Sequence, residues 1–189
     1  NPVEFLKVWQ GLSSYGGFAV CVPLSIWFFH KEKVPVWPFL DCLAFGMAVG
    51  WFFGRMGCFV AHDHPGSPTD FFLGVYGICP GQGPSIACHD MGLYEALWSI
   101  GMYALFVAMD KVPRVPGFYV LLLGISYGPV RFVMDFLRPE STDVRYVGFT
   151  PAQYFSAALT LLVVWYFVRR IKSGDAPFWP DASEAKADS

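Results

Sequence analysis

The 189-residue chain is 54% hydrophobic, 19% aromatic and only 15% charged, with a mean hydropathy of +0.42. Soluble domains carry about one quarter charged residues, so this composition points to a polytopic membrane protein and leaves no room for a separate soluble domain. A net charge of −2 and the lack of a basic, aromatic-interleaved patch exclude nucleic acid as a partner.

Five candidate spans follow in chain order, at about Ser14 to Phe29, Phe39 to Val60, Met91 to Met109, Gly117 to Leu137 and Pro151 to Val168. Each is near the roughly 20 residues needed to cross the hydrocarbon. The predicted fold is therefore all-α, a bundle of about five transmembrane helices with a long outward-facing loop between spans two and three. Residues 1–172 are expected to form one membrane domain, and residues 173–189, rich in Pro, Ala, Asp and Lys, a disordered tail. The chain opens at Asn1 without a methionine or a positively charged signal region, which calls for a missing or processed N-terminal portion with at least one upstream span.

Lys31 and Lys33, then Lys111 and Arg114, then Arg169, Arg170 and Lys172 follow spans one, three and five, which puts all of them on one side. That side is expected to be cytoplasmic, with the C-terminus. The segment Ala61 to Asp90 has no Lys or Arg and faces outward, as does the loop from Arg138 to Phe149, whose arginines are balanced by Glu140 and Asp143. Cys21 and Cys42 fall inside spans and read as small buried apolar residues. Cys79 and Cys88 share the outward loop, an oxidising location where a disulfide between them is a candidate.

Three groups of residues carry possible chemistry. Span two ends in Gly54-Arg55-Met56-Gly57-Cys58-Phe59, and Gly46, Gly50 and Gly54 recur every four residues. Small residues at that spacing suit close helix packing, but they leave Arg55 unexplained. A guanidinium at the end of an apolar run, near membrane depth, calls for an anion or a carboxylate partner. On span four, Tyr127, Arg131, Asp135 and Arg138 recur at spacings that share one helical face. They make either a structural Arg131–Asp135 pair or, with Arg55, a phosphate site suited to planar guanidinium forks. The third group is His62, Asp63 and His64 with His89 and Asp90 at the outward surface. It could bind zinc, supply a general base or lie solvated. No cofactor and no resident metal are predicted.

Taken together, these stretches resemble the prolipoprotein diacylglyceryl transferase family. Gly54-Arg55-Met56-Gly57-Cys58-Phe59 with Gly66 is similar to its signature G-R-x-G-N-F-x-N-x-E-x-x-G, and Val8 through Gly17 to its W-x-G-G-[ML]-S-F-H-G-G. His89 through Glu95 resembles H-P-S-Q-L-Y-E, and Tyr127 through Pro139 resembles Y-G-x-x-R-x-x-x-E-F-x-R. Phe149 through Gln153 is similar to a G-Q pair that opens the family's last span. The resemblance covers about residues 8 to 170.

That resemblance implies an enzyme of the bacterial inner membrane, multi-pass, that moves the diacylglyceryl group of phosphatidylglycerol onto the lipobox cysteine of a prolipoprotein. Membrane lipid and lipobox peptides are then its partners. It also implies that Arg55 and Arg131 hold the phosphate, supported by Tyr127 and Arg138, with Asp63, Gly66, His89, Tyr94, Glu95 and Asp135 in the substrate site. The chain departs from the family at Tyr15, which stands in the place of a proposed catalytic histidine, and at Cys58, Ala61 and Asp63, which replace two asparagines and a glutamate. An unshifted phenol, with a pKa near 10, is a poor base. Tyr15, His62 and His64 therefore stand as catalytic candidates beside the two arginines. The alternative is a family member that binds phospholipid, or serves structurally, without catalysis.

Overall fold

The computed structural model describes residues 14–112, 114–139 and 145–172. Five helices account for most of them: α1 (Ser14–Glu32), α2 (Val36–Ala61), α3 (Met91–Met109), α4 (Phe118–Met134) and α5 (Pro151–Lys172). One 3-10 turn, Asp135–Leu137, continues α4. All five helices fall where hydropathy places spans. Among the described residues four are long and apolar enough to cross a membrane, Val36–Ala61, Met91–Met109, Phe118–Leu137 and Pro151–Arg169. The protein is a multi-pass membrane protein. α1 falls short of that measure because its apolar stretch is bounded by Ser14 to Gly17 on one side and by His30, Lys31 and Glu32 on the other.

The chain divides after Phe39 into two compact units. In the first, the Phe29 ring packs edge-on against Phe28 and Phe39, with centroids 6.0 and 4.9 Å apart. The second holds the core, where α2, α3 and α4 meet: Ala44 and Ala48 of α2, Met102 and Phe106 of α3, and Phe118 and Tyr119 of α4. The small alanines leave room for a cluster of Phe45, Phe106 and Tyr119 with centroids 4.8 to 5.3 Å apart. Outside this core the large apolar side chains face outward. Phe53, Val60, Leu161 and Leu162 are more than 60% exposed, as lipid contact requires.

The inward stripe of α2 corrects the expectation for its glycines. An added Cβ at Gly46, Gly50, Gly54 or Gly57 meets none of the described residues within 4 Å. The reason is angular: at 3.6 residues per turn, Gly46 lies about 200° round the helix from Ala44. The positions in register with Ala44 and Ala48 are Trp51, Arg55 and Cys58, so the face that packs is also the face that carries Arg55. Close glycine packing occurs elsewhere, at Gly128, where α4 touches Thr160 and the Ser156 carbonyl of α5. Cys21 and Cys42 are likewise exposed rather than buried.

Asp41, the one charge in the apolar part of α2, caps another helix. Its carboxylate accepts from Gly117 N at 2.6 Å and Val120 N at 3.0 Å, the orphan amides at the start of α4. Asp41→Ala removes this cap. The expected loss is about 1 kcal/mol, as for other N-cap deletions, read as a lower thermal midpoint in detergent; an unchanged midpoint would show that the cap carries no weight.

The outward loop differs from expectation in holding a small sheet. β1 (Pro65–Pro68), β2 (Val75–Tyr76) and β3 (Ala87–Asp90) pair antiparallel in the order β1-β3-β2, with Pro68 and Val75 both opposite Cys88. Strands of two to four residues cannot stand alone. A Cys79–Cys88 disulfide, with a Cα separation of 5.5 Å, ties this one together.

Candidate active site

β3 runs directly into α3, and Asp90 marks the junction. Its side chain accepts from Leu93 N at 3.2 Å as the N-cap of α3, and its second oxygen meets His62 Nδ1 at 3.0 Å. Two positions later, Gly92 lets α3 approach the backbone of α2 closely. A Cβ there would lie 2.7 Å from Phe59 N and 3.1 Å from the Arg55 carbonyl, positions that backbone atoms cannot yield. This approach sets Glu95, one turn into α3, against Arg55.

Glu95 is 1% exposed, and both of its oxygens are engaged. Arg55 Nε donates to Oε2 at 2.7 Å and Trp51 Nε1 to the same oxygen at 3.1 Å, while Arg131 of α4 donates to Oε1 at 3.3 Å. Arg131 also faces Asp135 at 3.6 Å, and Arg138 faces the same carboxylate at 3.8 Å. Arg55, Arg131 and Arg138 thus surround two buried carboxylates among the described residues. The three guanidinium side chains are about one fifth exposed, at 22, 20 and 19%. Each carries five N–H donors, more than the carboxylates occupy.

Aromatic rings wall the cluster. Tyr127 packs on Trp51 at 5.5 Å and Trp98 at 5.0 Å. The Trp51 ring lies 5.3 Å from the Arg55 guanidinium in a cation–π contact. At the far end, the Asp135 Oδ2 oxygen accepts from Thr150, the N-cap of α5. Gln153 returns a bond to Thr150 N at 3.0 Å while its own amide bonds the Thr150 hydroxyl at 3.2 Å. Thr150-Pro151-Ala152-Gln153 is thus a capping box with proline at the first helical position. Gln153 also donates to the Phe132 carbonyl at 3.1 Å. Trp51 and Thr150 were not singled out from the sequence. The helical register of Trp51 with Arg55 and the T-x-x-Q spacing are the signals that point to them.

The histidines do not converge on the arginines as a set. His62 holds Asp90, His64 contacts Asp63, and His89 Nδ1 pairs with the Tyr94 hydroxyl at 2.7 Å. His64 and Asp63 line a cavity of about 460 Å³ together with Gly66, Cys88 and Arg138. Gly66 is required there, since a Cβ would meet the Leu137 carbonyl at 2.7 Å and the His89 side chain at 2.8 Å. Tyr15 lies in the first turn of α1, with its side chain outside the described residues. Glu140, Asp143, residues 8–13 and the tail 173–189 are outside them as well.

Burial pushes the His89 imidazole below its usual 6.5. The unfolded chain therefore takes up this proton more readily than the folded one. The His89 contribution is intact above about pH 6.5 and is lost as pH falls through the lowered folded value. Acidification from pH 7 to 5 is expected to lower the thermal midpoint, and His89→Gln to flatten that part of the profile. An identical profile in the variant would remove His89 as the cause.

Residues 1–169 match a family model described as prolipoprotein diacylglyceryl transferase. Proteins named phosphatidylglycerol–prolipoprotein diacylglyceryl transferase are similar to it. The protein from a Wolbachia of Brugia malayi is 30% identical over 180 residues, covering 92% of this chain and 68% of the relative. That from Ehrlichia canis is 30% identical over 184 residues, at 92% and 69%, and that from Sinorhizobium medicae 26% identical over 177, at 89% and 62%. The chain spans about two thirds of the length of these relatives. The matched range includes the Gly54-Arg55 end of α2, the start of α3 and the Arg131 end of α4, and the chain belongs to the prolipoprotein diacylglyceryl transferase family.

Proposed function

We propose that the chain transfers the diacylglyceryl group of phosphatidylglycerol to the lipobox cysteine of a prolipoprotein, a step of lipoprotein maturation at the bacterial inner membrane. The observation that carries this reading is the convergence of Arg55 from α2 and Arg131 from α4 on the buried Glu95 carboxylate. In the reaction the lipobox thiol gives up its proton to water, its sulfur bonds to the terminal glyceryl carbon, the carbon–oxygen bond to phosphate breaks, and glycerol phosphate departs with the electron pair. Prearranged cations stabilise that departing charge without reorganising at the moment of reaction. Glu95 holds the Arg55 and Arg131 guanidinium groups in place, and Tyr127 packs on the Trp51 ring that lies against Arg55.

The positively charged ends of the spans face the cytoplasm with the C-terminus, and the disulfide-tied sheet faces outward, on the side where the lipobox peptide arrives. The cavity beside His64 and Arg138 is the peptide's entrance. Purified chain incubated with phosphatidylglycerol and a lipobox peptide is expected to give the thioether, detected by mass spectrometry. Anionic-lipid binding with no thioether at any pH would overturn catalysis in favour of a lipid-binding role.

A further inference from the structure

We propose that Phe71 and Phe72, in the turn between β1 and β2, form an interfacial anchor that inserts into the lipid leaflet bordering the small sheet. Phe72 is 82% exposed and Phe71 47%, and their rings pack on each other with centroids 4.5 Å apart. A pair of large apolar rings held out from a loop marks a contact surface.

The depth of the turn names the occupant. α3 has nineteen residues, Met91–Met109. At 1.5 Å per residue it rises about 28 Å, just short of the roughly 30 Å of hydrocarbon it crosses. No turn of this span can be spared to water, so its first turn, which holds Tyr94, lies at the edge of the hydrocarbon. Phe71 comes back to that turn. Its ring centroid is 6.2 Å from the Tyr94 ring and 6.2 Å from His89, the residue paired with the Tyr94 hydroxyl. Phe72, packed on Phe71, is therefore within two ring contacts of the level where headgroups meet acyl chains. The adjoining end of α2 carries Val60, 75% exposed on the lipid-facing surface of that span. The two rings thus continue a surface that lipid already covers.

The turn is built to present them. Thr69 N donates to the Ala87 carbonyl at 2.9 Å and ties the turn to β3. Phe71 N donates to the Thr69 hydroxyl oxygen at 3.0 Å, and Gly74 N to the Phe71 carbonyl at 2.8 Å. Gly74 fits this turn closely, since a Cβ there would lie 3.0 Å from the Phe71 carbonyl oxygen and 3.2 Å from the Ala87 side chain. A turn ordered in advance loses little conformational entropy on insertion. The contact is apolar rather than electrostatic: residues 61–90 contain no Lys or Arg, and Asp70 directly precedes the rings. The anchor therefore takes neutral and anionic lipid alike. Because β1 and β3 carry Gly66 and Cys88 to the 460 Å³ cavity, the same contact holds that wall of the cavity at the membrane surface.

The test uses the full chain with the photoreactive residue p-benzoylphenylalanine in place of Phe72, whose exposure leaves room for the larger ring. The protein is reconstituted in phosphatidylcholine nanodiscs, with and without phosphatidylglycerol, and illuminated. A mass increase of one phospholipid is expected in both compositions, at a yield comparable to that of the same probe at Leu161, 70% exposed on α5. Crosslinking to a lipobox peptide, to a second copy or within the chain, in place of lipid, overturns the anchor. So does a lipid adduct that requires phosphatidylglycerol, which would assign the ring to a headgroup site. Independently, Phe72→Asp puts a charge at that depth. Hydrogen exchange at the bonded amides of Phe71 and Gly74 is then expected to quicken by about tenfold or more in the same nanodiscs, the consequence of withdrawing one buried aromatic side chain. Exchange unchanged from the parent overturns the proposal.

Discussion

Glu95→Ala lowers the stability of the chain by about 3–5 kcal/mol, the cost of breaking a buried ion pair from one side. Glu95 is the point where three helices meet electrostatically, because it receives Arg55 from α2 and Arg131 from α4 while standing on α3. Removing it leaves two guanidinium groups facing each other inside a membrane bundle, where low dielectric strengthens the repulsion. Glu95→Gln separates charge from packing, since it keeps the volume and an acceptor for Trp51 Nε1. It is expected to recover only a minor part of the loss. Thermal unfolding in detergent reads both variants. A midpoint shift in Glu95→Ala no larger than that of Glu32→Ala, an exposed change, would refute the account.

Arg55→Ala is expected to cut the rate of thioether formation by about 10²- to 10³-fold per folded molecule, the usual consequence of deleting one preorganised donor to a developing anion. Arg55→Lys restores charge without the planar fork that reaches Glu95 through Nε while presenting further donors, so recovery should be partial. Arg131→Ala follows the same direction. Rates are compared at equal folded fraction because each change also unbalances Glu95. A rate in Arg55→Ala within a factor of about two of the parent would put the phosphate elsewhere.

The helices were legible because hydropathy over nineteen or more residues is a strong signal, and the α3 boundaries Met91–Met109 fall on the predicted limits. The strands were not legible: two to four residues rich in Gly and Pro have no periodicity to read, and β1 owes its existence to pairing with a strand more than twenty residues away. The arginines were legible as anomalies of cost. The Arg131–Asp135 pair was legible in its four-residue spacing, whereas the shared counter-ion was not, since Glu95 is separated from Arg55 by forty residues and the close approach at Gly92 brings the backbones together. The stripe Gly46, Gly50 and Gly54 drew attention to the wrong face of α2, whereas the register Ala44, Ala48, Trp51, Arg55 was equally present in the sequence and is the one that packs. Asp41, a lone carboxylate in an apolar run, caps a helix that begins more than seventy residues later.

The division of labour on Asp135 has one more consequence. One of its oxygens faces Arg131 and Arg138, and the other holds the hydroxyl that starts α5. A phosphate that draws either arginine toward itself weakens one side of this carboxylate and changes what the first turn of α5 is anchored to. By thermodynamic reciprocity, the firmness of that anchor sets how readily the arginines can turn to a ligand. Occupancy by lipid and the local order of the last helix are therefore two readings of a single equilibrium, and amide exchange at Gln153 and Tyr154 would report the arrival of a headgroup that touches neither residue.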